Sequence, residues 1–154
     1  MASRQRVSFS LSVSNAISKS FPSWKSFRLL LKEASQAVLA SEHGSITSLK
    51  LGIVLLNDNE LLEMNTQVLG HDYYTDILTF EIERNSDTLE AELYISMDRA
   101  KENALRYKVS LRNELARLAI HGMLHLAGYD DKSTQAKNKM RKKERAYLDM
   151  LQSL

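Results

Sequence analysis

Residues 115–128 read LARLAIHGMLHLAG, and only Arg117, His121 and His125 interrupt the apolar run. A helix with one apolar stripe lies on a surface, whereas one that is apolar nearly all the way round has to be buried. Whatever this chain folds into must therefore bury a helix that carries three polar side chains. The remainder has the length for one domain and not for two ordinary ones. With five Gly and one Pro in 154 residues, little of it is linker.

The pattern elsewhere supplies the cover. Val7, Phe9, Leu11 and Val13 alternate with polar residues and predict a half-buried strand over about 6–13. After a loop around Pro22, Ser23 is positioned to cap a helix over about 24–41. Its apolar positions Phe27, Leu31, Ala34 and Val38 recur at three- and four-residue spacing, and it ends near Gly44. LKLGIVLL (49–56) is too apolar for an edge strand and predicts a central one. Asp58 then caps a short helix with Leu61, Leu62, Met64 and Val68 inward, closed by Gly70. Strands at about 76–82 and 90–96 flank the polar turn ERNSDT and suit an antiparallel pair. Helices follow at about 97–106, 110–127 and 133–151. The order predicts a single α+β domain over residues 1–154, with about five helices packed on a mixed, mostly four-stranded sheet.

The chemistry concentrates in the buried helix. The chain has no cysteine, which excludes disulfides, thiolate metal sites and a cysteine nucleophile, so any metal must be held by nitrogen and oxygen. Of four histidines, His43, His71, His121 and His125, the last two are four residues apart. That step rotates about 400° around a helix and places both imidazoles on one face, one turn apart. Gly128 and Asp131 extend the pattern to H-x3-H-x2-G-x2-D. Glycine just past a helix end reverses the chain, so Asp131 can swing back as third ligand, with Asp130 as a substitute. Requiring these offsets lowers the chance expectation from roughly 0.1 to the order of 10⁻⁴. Three protein ligands leave an open position, the catalytic pattern for zinc, and the carboxylate leaves other divalent metals possible. The same spacing occurs in metzincin peptidases, but position 122 is Gly where those enzymes carry their glutamate base, which argues against peptide hydrolysis.

HGMLHLAGYDD (121–131) resembles the HGxLHLxGYDH signature of the YbeY family of bacterial metal-dependent endoribonucleases. TDILTFE (75–81) is similar to that family's TDVLSFP strand, AELYIS (91–96) stands where it has GDIVIS, and Asn65 matches the asparagine of its preceding helix. The likeness covers roughly 49–131, with the basic helix beyond also in family position. It implies a zinc-dependent, single-strand-specific endoribonuclease that matures ribosomal RNA at the 16S 3′ end and serves ribosome quality control. The implied partners are ribosomal RNA and the small ribosomal subunit, in the cytoplasm. Three departures stand out: Asp131 replaces the usual last His, Ala91–Glu92 replace Gly–Asp, and Leu69 stands where the family places an RNA-contacting arginine. His71, two residues on, is a candidate phosphate contact or proton donor, and so the candidate catalytic residue.

The charge map fits such a partner. Residues 58–98 carry a balance of −10 and the rest +12, behind a formal total of +2. KNKMRKKER (137–145) is the basic run of the last helix, and Ala136, Met140, Tyr147 and Leu151 form the stripe that docks it. Lys139, Arg141, Lys142 and Arg117 are the candidate RNA contacts, Arg112 is a further cation on the histidine helix, and Glu114 suits a role behind the ligands. No segment approaches the apolar length of a membrane span. Two alternatives remain: a non-catalytic ribosome-assembly factor with a structural metal, and a metallopeptidase with a base from outside the helix.

Overall fold

The computed structural model describes residues 4–19, 24–151 and 154, so the Pro22 loop and Ser23 cap lie outside the described residues. The elements are β1 (Arg6–Val13), α1 (Asn15–Ser18), α2 (Trp24–Glu42), β2 (Ser48–Leu56), α3 (Asp58–Leu69), β3 (Ile77–Arg84), β4 (Thr88–Ser96), α4 (Met97–Tyr107), α5 (Leu111–Leu126) and α6 (Thr134–Asp149). The expected α+β order is present, and the single turn α1 is an addition to it.

One four-stranded sheet runs β1-β2-β4-β3, parallel except for the β3–β4 pair. β2 is central, and its predominantly apolar sequence has a cause on each face. Leu49, Leu51, Ile53 and Leu55 enter the main core with α2 and α5, while Leu56 joins Leu61 of α3 and Leu78 of β3 on the other face. β3 has one strand neighbour among the described residues, so it forms an edge, interrupted by a bulge between Glu81 and Glu83.

Two expectations for α3 need correcting. Asn57, not Asp58, is the N-cap: its side chain accepts from Glu60 N at 2.8 Å, and Asn57 N donates back to Glu60 Oε1 at 2.9 Å. Both residue types cap well, and the reciprocal glutamate three positions on decides for Asn57. Asp58 instead accepts from Ser96 Oγ and Arg99 Nε, each at 3.1 Å. Val68 does not point inward but is 61% exposed, because the buried part of α3 ends at Asn65, which is 1% exposed.

α5 is the central helix. It packs against α2, α4, α6, β3 and β4, and Leu115, Ala116, Leu118, Ala119, Ile120, Met123 and Leu124 are fully buried. Gly122 allows its closest approach to the sheet. A Cβ there would stand 2.8 and 3.0 Å from the Leu93 methyls and 3.2 Å from Ile77 Cδ1. The position that holds a glutamate base in metzincins therefore faces β3 and β4 here. Gly122→Glu is expected to place an unpaired carboxylate in the core and destabilise the domain by about 3 kcal/mol or more, read as a lower urea midpoint. An unchanged midpoint would refute this account of the glycine.

Candidate metal centre

His121 and His125 leave the C-terminal end of α5 with their rings edge to face, 4.5 Å between centroids, and Nε2 2.9 Å from Nε2. The chain then turns back at Gly128, whose φ of 100° lies in the region favouring glycine. The turn brings Asp131 Oδ2 to 3.6 Å from His121 Nε2 and 3.9 Å from His125 Nε2. Asp130 faces elsewhere, accepting from Lys132 N at 3.1 Å.

The other ring nitrogens decide what this cluster can hold. His125 Nδ1 is 2.9 Å from the Tyr129 carbonyl, and His121 Nδ1 is 2.7 Å from Glu144 Oε2. Both partners only accept, so each Nδ1 carries the hydrogen, and in the neutral rings each Nε2 presents a lone pair. With both rings neutral, two lone pairs face each other at 2.9 Å, and either a shared proton or a cation between them removes the repulsion. For tetrahedral zinc with bonds of about 2.0–2.1 Å, ligand atoms sit about 3.3 Å apart. The three observed separations bracket that value, so the donor set fits a divalent cation. Burial, then the neighbouring His121, holds the His125 pKa below its ordinary value, which keeps the imidazole neutral and able to ligate.

Glu144 was not singled out by sequence. It lies on the docking stripe of α6 between Met140 and Tyr147 and is 4% exposed. A carboxylate on an otherwise apolar stripe was the available signal. Burial alone would raise its pKa, but the His121 hydrogen bond and the Arg117 charge outweigh this and hold it low. Arg117, expected among the RNA contacts, donates from Nε and Nη2 to Glu114 at 2.6 and 2.8 Å and from Nη1 to Glu144 at 3.0 Å. Glu114 is fully buried and also accepts from Asn103 Nδ2 at 3.1 Å. Arg117 thus links Glu114 to the carboxylate that orients His121.

A second carboxylate locks the turn after α5. Glu42 accepts from Tyr129 O–H at 2.9 Å, Lys143 Nζ at 2.8 Å and Tyr147 O–H at 2.7 Å. Burial opposes ionisation of Glu42, yet Lys143, Tyr147 and Tyr129 bring its pKa down to about 2. The carbonyl of Tyr129 is the one that holds His125, so this cluster fixes a candidate ligand from behind.

An open cleft of about 1000 Å³ meets the three ligands, bounded by the end of α5, β3 and the loop between α3 and β3. His71, Leu69 and Asn65 line it, so the structure brings His71 to the same cleft as His121, His125 and Asp131. Lys139, Arg141 and Lys142 do not line it. Lys139 sits over the Tyr129 ring at 5.2 Å, and Arg141 borders a separate hollow with Arg117 and Arg145. Arg112 turns toward α2, donating to Ser26 Oγ at 3.2 Å, and His43 is buried with Nε2 3.0 Å from the Met123 carbonyl.

Glu144→Ala is expected to weaken metal affinity about 10- to 100-fold in chelator competition, with the helical signal retained; undiminished affinity would sink its orienting role. The contribution of Glu42 has the opposite address, the fold. Its folded pKa is below the ordinary 4.5, so its stabilisation is complete above that pH and is lost as pH falls through about 2. Glu42→Gln is expected to cost about 2 kcal/mol at neutral pH and to flatten the acid limb of stability over that window, measured by urea denaturation.

The family profile described as Endoribonuclease YbeY matches residues 12–152. The chain is similar to the Endoribonuclease YbeY of Cytophaga hutchinsonii, 44% identical over 102 residues that cover 66% of this chain and 71% of that protein. It is 33% identical to the protein of that name from Chloroherpeton thalassium over 142 residues, 92% of this chain and 95% of the relative. A solution structure from Thermotoga maritima aligns with a TM-score of 0.55 at 25% identity, covering 92% of this chain and 87% of that one. The matched span contains both histidines, Asp131 and the helix that supplies Glu144, and on this evidence the chain belongs to the YbeY endoribonuclease family.

Proposed function

We propose that this protein is a metal-dependent endoribonuclease that cuts single-stranded ribosomal RNA during maturation, at the 16S 3′ end, and in ribosome quality control. The observation that carries the reading is the convergence of two Nε2 lone pairs and the Asp131 carboxylate on one point of an open cleft. Zinc suits the two imidazoles and one carboxylate, and other divalent cations share the oxygen ligand. When bound, such an ion polarises a phosphoryl oxygen and lowers the pKa of water.

The cations that would draw a polyanion lie outside the cleft. Its lining holds three acids, Asp76, Glu81 and Asp131, against one base, Arg84. Glu81 is paired with Arg84 at 2.7 Å, Asp76 lies 3.9 Å from an Arg117 already bonded to Glu114 and Glu144, and Asp131 would hold the cation. Outside the cleft, Lys137, Lys139, Arg141, Lys142 and Arg145 are exposed on α6, which starts three residues after Asp131. They attract the phosphodiester backbone without regard to sequence, so binding weakens steeply with salt. Small-subunit ribosomal RNA is the proposed partner and the cytoplasm the proposed location. No helix among the described residues is long and apolar enough to cross a membrane.

Leu69 favours a second reading. It lines the cleft, 44% exposed, where the family usually has an RNA-contacting arginine, and a non-catalytic assembly factor with a structural metal would not need that cation. A peptidase finds no such support, because position 122 faces the sheet.

Elemental analysis of fresh protein, followed by incubation of wild type and His125→Ala with ribosomal RNA, separates these readings. The nuclease reading expects stoichiometric metal in wild type and a fall in cleavage of more than about a hundredfold in the variant. Equal cleavage by both proteins rejects it. Metal without cleavage favours the assembly factor.

A further inference from the structure

We propose that the rings of His71 and Tyr73 form a stacking platform for an unpaired nucleobase of the strand that enters the metal cleft. The proposal rests on the nuclease reading for its substrate and adds what grips that substrate beside the metal ligands.

The two rings stack on each other, 5.2 Å between centroids and 18° between planes, and both line the cleft. Both are exposed, Tyr73 to 56%, so aromatic faces are left in water at the entrance to a charged site. Every base has a π-face, and stacking on such a ring strengthens binding about 5- to 150-fold per base without regard to sequence. A base inside a duplex is already stacked on its neighbours, so the platform selects single strands.

The loop is built before any substrate arrives. Gly70 ends α3 with φ 69°, a left-handed conformation that turns the chain. His71 N then donates to the Asn65 carbonyl at 3.1 Å, and Asn65 Nδ2 donates to the Tyr73 carbonyl at 3.0 Å. Tyr73 Oη lies 3.0 Å from His71 Nδ1 and ties the two rings together. These bonds explain why α3 buries an asparagine where an apolar residue would dock a helix: Asn65 holds the loop. Its Oδ1 is buried with no partner among the described residues, a penalty set against that function. A preformed loop loses little freedom on binding, so more of the stacking appears as affinity.

The neighbouring wall agrees. Leu69 lines it, so this side of the cleft meets a substrate through apolar and π surface, with the cations of α6 left to meet phosphates elsewhere.

The test uses metal-loaded protein and a single-stranded 2′-O-methyl oligonucleotide carrying one 2-aminopurine, a base whose fluorescence is quenched on stacking and whose backbone resists cutting. Wild type is expected to bind and quench. Tyr73→Ala is expected to bind about 5- to 150-fold more weakly and to lose the quench, while Tyr73→Phe, which keeps the ring, retains both. A prehybridised duplex should compete poorly. Binding and quench unchanged in both Tyr73→Ala and His71→Ala overturn the platform, even if ribosomal RNA is cut. No binding or quench by wild type also overturns it. A Tyr73-dependent quench in a protein that cuts no RNA upholds the platform and rejects the nuclease reading instead.

Discussion

Two imidazoles meet Nε2 to Nε2 at 2.9 Å, each with its Nδ1 hydrogen already committed, and the surrounding structure exists to hold that arrangement. Neutral imidazoles in this geometry present lone pairs to each other, which is unfavourable until a shared proton or a cation occupies the space between. Nothing local to a helix enforces it, because a free histidine rotates away. The enforcement comes from the packing of α5 against α2, α4, α6, β3 and β4 and from acceptors that pin both rings from behind. Gly122 belongs to the same constraint: by letting α5 lie close on β3 and β4, it brings the histidine end of the helix to the sheet edge where the cleft opens.

The acceptors come from different parts of the chain and are themselves held. Glu144 reaches His121 from α6, and Arg117 bridges it to the fully buried Glu114. Isolated, such carboxylates would be costly to bury; paired and hydrogen-bonded, they trade that cost for a defined ring orientation. Glu42 does the equivalent for the turn after α5, tying Tyr129, Lys143 and Tyr147 to α2. α6 consequently has two uses. Its inner stripe completes the core and orients a ligand, and its outer face presents lysines and arginines to solvent. A substitution on one face need not disturb the other.

Element order, the antiparallel pairing of β3 with β4 and the central place of β2 were legible because periodicity, turn residues and apolar run length report directly on which faces are covered. The clustering of His121, His125 and Asp131 was legible because H-x3-H-x2-G-x2-D is local: one helical turn and one glycine reversal bring the three side chains together. Expectation and structure part where local pattern competes with long-range packing. Val68 carries the right periodicity but sits beyond the covered part of α3, and Asp58 yields the cap to Asn57 because Glu60 reciprocates. Arg117 was read as a candidate RNA contact, and a sequence does not show that Glu114 and Glu144 wait for it.

The sequence by itself determined a buried helix, the candidate metal ligands carried at its end, and a basic last helix. Each follows from residue spacing within one element or one turn. Tertiary structure alone decided that Glu144 orients His121 and that Glu42 clamps Tyr129. The physical reason is chain separation. Glu144 and His121 are 23 residues apart, Glu42 and Tyr129 are 87 apart, and hydrogen bonds of that range exist only once the core has brought their elements together.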